Sequence, residues 1–443
     1  MKIFSIFFLL LFSIAATETF AVDFTVNLTT DQHDASTADG VCDIDLVTAG
    51  EQCSLRAAVE QANNLGGNDR VLFNLPANST ITLTTANGGE IPINNSGTLE
   101  IAGSGADNLT IDGGAGTNRI FHTNQATVNI IGLTLTGGNK SAFGVNSGGA
   151  ILVEGGALTL DRVHVTGNTA HSGGGGIDFQ LGTHRIINST FSNNTTIFQG
   201  GGFFVSFGTT LTVVNSTISG NTAGMGGGGF NSQGTVTLRN VTIINNSSRV
   251  GGGIGQSGVL NMGNTIVAGN TAAVDLGTDV SPDIYSSPGK TIVSAGGNLI
   301  GNNSNVETAF PAGNPNTNND IVGTSVSPIN PQLGSLADNG GTTPTHALLA
   351  GSPAIDAGLN AWAVDPLNNT TLAFDQRGTG YMRIVDGDNN GSSIVDIGAF
   401  EVQPENVVPT TTEQCKNGGW MTFTMPRRFK NQGDCNRFVN TGN

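Results

Sequence analysis

Asn188-Ser-Thr-Phe-Ser-Asn-Asn194, Asn215-Ser-Thr-Ile-Ser-Gly-Asn221 and Asn240-Val-Thr-Ile-Ile-Asn-Asn246 are three copies of one phrase. Arg162-Val-His-Val-Thr-Gly-Asn168 and Asn264-Thr-Ile-Val-Ala-Gly-Asn270 flank them, and the spacing is 24 to 27 residues throughout. A glycine cluster follows most copies, at residues 173 to 176, 200 to 202, 226 to 229 and 251 to 253. An earlier copy ends at Asn139 and precedes Gly148 and Gly149. A fixed period of this length is the mark of a stacked repeat.

Aligned on the last Asn, the copies form columns. Val165, Phe191, Ile218, Ile243 and Val267 fill one apolar column, and His164, Thr190, Thr217, Thr242 and Ile266 fill a mostly polar one beside it. Alternation of this kind belongs to a strand with one buried face, whereas the glycines would each cost a helix about 1 kcal/mol. Coils stacked about 4.8 Å apart would superpose Asn168, Asn194, Asn221, Asn246 and Asn270 in a turn. Asn tolerates the left-handed conformation, and stacked amides bond along a ladder. A second column, Asn188, Asn215, Asn240 and Asn264, opens the strand. The fold expected is all-β, a right-handed parallel β-helix of about eight coils, with the hand following the rule for parallel crossovers. The ladder also accounts for the many Asn-x-Ser/Thr sequons without glycosylation.

Composition agrees. The chain of 443 residues holds 65 Gly and 49 Asn but only 11% charged residues, which favours turns joined by short strands over helices. Hydrophobic residues at 37%, regularly spaced, argue against disorder. A net charge of -16 excludes nucleic acid and anionic lipid surfaces as partners.

Residues 1–21 have the layout of a secretory signal peptide, with Lys2, an apolar run from Ile3 to about Ala16 and a polar stretch to Ala21. No later apolar run approaches a membrane span, so the expectation is a monomeric, secreted or cell-surface protein with no transmembrane segment in the mature chain. In an oxidising compartment Cys42 pairs most simply with Cys53, and Cys415 with Cys435.

An open stack needs caps. Residues 22–66 supply an acidic loop and a helix from Ser54, with Leu55, Ala58, Val59 and Ala62 as its apolar stripe. Coils are expected over 67–300, further coils and a closing segment over 301–402, a linker over 403–414 and a basic Cys-containing tail over 415–443.

The block Cys53-Ser-Leu-Arg-Ala-Ala-Val59, after a Val-Cys-Asp loop, resembles the CSLREA-type N-terminal domain of bacterial exported β-helix proteins. Residues 330–358, Asp375-Gln-Arg-Gly378 and Val395-Asp-Ile-Gly-Ala-Phe-Glu401 are similar to the segment that closes the β-helix in that family. The resemblance spans most of 22–402 and implies the same fold and export. Ala57 stands where the family pattern has Glu, so the reciprocal half of a capping box is missing. The repeats also resemble those of polymorphic outer-membrane proteins, although the segment after 402 is short for their membrane barrel.

Chemistry is sparse in the repeat. Between 123 and 272 the acids are Glu154, Asp161 and Asp178, and 179–272 has none. Glycosidases need paired carboxylates and lyases of this fold need acidic calcium ligands, so the shaft reads as non-catalytic. His122, His164, His171 and His184 read as solvent-facing rather than as ligands. Trp and Tyr, two of each, cannot make a broad sugar platform, which leaves shallow contacts through Asn and Thr rows. Asp386-Gly-Asp388-Asn-Asn390-Gly391, with Asp396 beyond, resembles the first half of a calcium loop, but Ile397 occupies the twelfth position. The alternative is a plain Asp/Asn/Gly turn. The function expected is adhesion to a glycan or cell-surface polymer, with the basic tail a second place for an anionic wall polymer. The rival is a carbohydrate-active enzyme, a lyase or glycosidase, whose site uses Asp275, Asp279, Asp283, Asp365 and Asp375 from loops outside the repeat.

Overall fold

The computed structural model describes residues 22–114, 116, 118–142, 144, 146–273, 281–387, 390–404, 411–413, 415–416 and 430–441. The candidate signal peptide lies outside them. The chain winds into a parallel β-helix whose coils each contribute one strand to an eight-stranded sheet, Ile91–Ile93 first and Ile284–Ser286 last. A six-stranded sheet of two-residue strands and a broad sheet of eighteen strands complete the walls.

Register follows the sequence columns. Leu135, Val165, Phe191, Ile218, Ile243, Val267 and Ile300 pair in succession, and all are 0% exposed. Phe203 stacks on Phe230 with ring centroids 4.8 Å apart, and Phe179 and Phe191 meet Phe203 edge-on. These four phenylalanines therefore form an internal column rather than a surface platform.

The five asparagines superpose and bond in one direction. The side-chain amides of Asn168, Asn194, Asn221 and Asn246 each donate to the Oδ1 of the next rung, at 2.9 to 3.0 Å. Each Oδ1 from Asn194 onward also accepts the backbone N–H of the rung before it. The left-handed backbone lies one residue earlier than expected, at Gly167, Asn193, Gly220, Asn245 and Gly269, with φ between 55° and 69°. The ladder asparagines are retained for their amides, and their neighbours make the turn. In the second column Asn188, Asn215, Asn240 and Asn264 do adopt positive φ, from 45° to 54°, where the broad sheet bends into two legs.

The N-terminal end is covered by a helix, α1, Leu55–Leu65, with Ser54 Oγ accepting the Ala57 N–H at 3.1 Å. Leu55, Ala57, Ala58, Val59 and Ala62 are 0% exposed, so a glutamate at position 57 would sit in the core. Cys42–Cys53 and Cys415–Cys435 are both disulfides. The second ties a second helix, α2, Gln432–Thr441, to the chain at Cys415.

At the other end, Val306 and Phe310 plug the interior. Within the span expected to hold further coils and a closing segment, Ile321–Val322 adds a strand to the stack and residues 333–402 run back along its side. Thr343 Oγ1 bonds the Asn188 carbonyl, Asn215 Nδ2 bonds the Phe374 carbonyl, and Asn264 bonds both N–H and C=O of Leu359. Gln376 donates to Thr190 Oγ1 at 2.7 Å and accepts from Thr217 Oγ1 at 2.6 Å, and Thr242 Oγ1 accepts the Ala399 N–H. The polar column is thus not solvent-facing, because Thr190 and Thr217 are 0% and Thr242 2% exposed beneath this strap. Ile266, the apolar member of that column, packs with Leu348, Ala354 and Ile397 of the strap.

Candidate functional site

The strap decides which outer surface is free. It covers the second leg of the broad sheet and reaches the first leg at Arg185, Thr212 and Arg239, the last two 6% and 8% exposed, leaving the rest of the first leg's outer rows at least partly exposed. The outward row on that leg pairs Asp23, Arg70, Glu100, Asn129, Thr159, Arg185, Thr212, Thr237, Asn261 and Val293 in register. A second row carries Thr183, Thr210, Thr235, Val259 and Thr291. Successive strands place these groups about 4.8 Å apart on a flat surface. From Thr210 onward the two rows hold no charge.

A charged cluster that the repeat pattern did not reveal lies on the eight-stranded sheet. Glu90 Oε2 lies 2.6 Å from Arg119 Nη1 and 3.6 Å from Lys140 Nζ, and Glu90 Oε1 lies 3.5 Å from His122 Nδ1. Glu154 Oε2 is 2.9 Å from His122 Nε2. Burial pushes the Glu90 carboxyl up, yet the His122 hydrogen bond and the charges of Arg119 and Lys140 outweigh it and hold it at about 2. Hydrogen bonding to Glu90 raises His122. A carboxyl held so low is a poor proton donor near neutrality, so the cluster acts as a charge-matched brace between coils. Glu90 escaped notice because it precedes the first clear repeat, and nothing in its local sequence marks its partners.

A second acid cluster sits inside the strap. Asp375, Asp396, Glu401 and Arg383 are 0–1% exposed. Arg377 Nη2 meets Asp375 Oδ2 at 2.6 Å, and Arg383 Nη2 donates to the carbonyls of Asp396 and Gly398 at 2.7 Å each. Burial lifts the Asp396 carboxyl to about 6 and Glu401 to about 9. These groups are sealed from solvent and hold the strap's own fold.

The described candidate calcium residues are each engaged by protein N–H groups. Asp386 accepts the N–H groups of Asn390 and Gly391, both at 2.9 Å, as a self-contained turn. Asp396 is buried and accepts the N–H groups of Asp356 and Val402. Asp388 lies outside the described residues, and among the described residues no group of three His, Cys, Asp or Glu is placed to hold a metal. The loop-acid set is similarly divided. Asp365 pairs with Arg185 at 2.5 Å and Asp375 with Arg377, while Asp275 and Asp279 lie outside the described residues.

Asp283 ends the asparagine ladder. Its Oδ1 accepts the Asn270 side-chain and backbone N–H groups at 2.9 and 3.2 Å, and its Oδ2 accepts the Asn302 N–H at 2.7 Å. A column of donors running one way needs a final group that only accepts, and a carboxylate supplies it. Burial raises this carboxyl to about 6, against the opposing N–H donors. A raised acid favours the fold when protonated, so its contribution is complete below the unfolded value near 3.8 and is lost as pH rises through 6. Asp283→Asn is therefore expected to flatten the stability profile between pH 4 and 6. Wild-type stability relative to the variant should fall by up to about 3 kcal/mol across that window in urea titrations. Parallel profiles would refute the assignment.

The four histidines read as solvent-facing are buried or half-buried, His122 among the half-buried. His184 is 2% and His171 8% exposed, and His164 is half-buried with Nε2 2.8 Å from Ser192 Oγ. Burial drives His164 and His184 down to about 4. Trp362 and Tyr381 lie against guanidinium groups, Arg239 at 4.9 Å and Arg377 at 3.9 Å from the ring centres. No helix among the described residues is long and apolar enough to cross a membrane. Compared with family models, curated proteins and solved structures, the chain matched none.

Proposed function

We propose that this chain is an exported, surface-acting β-helix protein of the CSLREA type that binds an extended glycan or cell-surface polymer without turning it over. The observation that supports this most directly is the division of the shaft into one face sealed by the strap and one long flat face left free. Thr183, Thr210, Thr235, Thr237, Asn261 and Thr291 offer hydroxyl and amide groups on successive coils of the free face, which suits a repeating polymer better than a single small substrate. Tied acids support the same reading. Glu90, Asp283, Asp365, Asp375 and Asp396 are each engaged by cations or N–H donors.

The test is to incubate residues 22–443 with a panel of polysaccharides, with and without calcium, recording retention and product release together. Retention without cleavage is the expected result. Release of reducing or unsaturated ends from any member would overturn it and favour a lyase or glycosidase.

A further inference from the structure

Where the eight-stranded sheet turns into the broad sheet, a groove of about 420 Å³ crosses four coils. Thr210, Thr235, Ser257 and Thr291 line it with hydroxyls, and Gln233 adds an exposed amide. Its depth follows from close stacking of the turns. A Cβ at Gly234 would collide with the Thr209 carbonyl oxygen, and one at Gly258 with the Gly234 carbonyl oxygen, so no side chain can fill the channel there.

The two ends of the groove differ in chemistry. At one end Phe207 is 81% exposed and stands beside Leu181, 53% exposed, as an apolar shelf. At the other end is the exposed Lys290, the only Lys or Arg between residues 250 and 376. Residues 179–272, which build most of the groove, contain no acid. The net charge of -16 therefore resides elsewhere, and beyond about 10 Å it is screened at ordinary salt. Among the residues lining the groove, Lys290 carries the one charge.

We infer that this groove binds a linear acidic polysaccharide, with Phe207 stacking on a sugar ring, the hydroxyl rows bonding its neighbours and Lys290 pairing with a carboxylate. An aromatic face suits the C–H side of a pyranose, hydroxyls and amides suit its edges, and the cation selects a charged chain. The inference rests on the glycan-binding reading above and names the site and the class of glycan.

Alginate oligosaccharides, which carry a carboxylate on every ring, and uncharged maltohexaose are titrated calorimetrically into residues 22–443, wild type, Phe207→Ala and Lys290→Gln. Val326→Ser, at a 92% exposed position far along the chain, serves as control. Alginate is expected to bind at least tenfold tighter than maltohexaose. Phe207→Ala should lose at least tenfold, and Lys290→Gln about fivefold together with part of the salt dependence, while the control is unchanged. Equal affinity for both sugars, or full alginate affinity in both groove variants, overturns this assignment while leaving glycan binding elsewhere intact. Failure of every polysaccharide in the broader panel to be retained removes both.

Discussion

Asn221→Ala will destabilise the protein more than any substitution on the free outer rows, by about 4 kcal/mol or more. The Asn221 side chain donates to Asn246 Oδ1 and to the Phe191 carbonyl at 2.9 Å each, and its Oδ1 accepts from the Asn194 side chain and backbone. Truncation takes the side-chain partner from the Asn194 N–H and the Phe191 carbonyl and one of two bonds from Asn246 Oδ1 and the Asn194 amide, at about 1–3 kcal/mol for each buried group left unpaired before any relaxation. Asn221→Asp should be no milder at neutral pH. It keeps the acceptor for Asn194 but sets a carboxylate against the Phe191 carbonyl and Asn246 Oδ1, two acceptors facing a third. Lowering the pH to protonate the new acid should restore part of the loss. Denaturation midpoints and hydrogen exchange at the Asn194 amide measure both effects, and an unchanged midpoint in both variants would show that the ladder carries no stability.

Arg56→Met is the other substitution with a large expected cost, about 3–5 kcal/mol. Arg56 is 2% exposed, with Nε 2.7 Å from Asp31 Oδ1 and Nη2 2.6 Å from the Gly89 carbonyl. Asp31, 4% exposed, also accepts the Thr84 N–H at 2.6 Å. One ion pair thus joins the N-terminal loop, α1 and the coil that begins at Ile91. Removing the cation leaves a buried carboxylate with only the N–H and hydroxyl of Thr84, whereas Asp31→Asn combined with Arg56→Met removes both charges. The double variant should recover at least half the loss in urea titrations. A double variant as unstable as the single one would show that packing, rather than charge, holds this end.

Position 56 also shows where sequence reading stops. Arg56 stands in the Cys53-Ser-Leu-Arg block that carries the family resemblance, and the apolar stripe of α1 was legible around it. Its own role was not, because its partners are 25 to 34 residues away and share no pattern with it. The outward threonines show the same limit. Their alternation with Phe191, Ile218 and Ile243 was readable, but their cover comes from residues 154 to 186 positions distant. One clue was present, Ile266, an apolar residue in an otherwise polar column. Asp386 and Asp396, read together as ligands, differ in setting, since Asp386 makes an exposed turn and Asp396 is buried under the N–H groups of Asp356 and Val402.

The amino-acid sequence by itself determined the coil period, the alternation of inner and outer residues, the asparagine ladder and the two cysteine pairings. Each is a local pattern, and the repeats multiply it by setting equivalent residues one coil apart. Only the tertiary structure decided which face the strap seals, which charges meet at Glu90, and where the free face and its groove lie. Those outcomes depend on single, unrepeated contacts between distant segments, and a contact made once leaves no periodic trace in the chain.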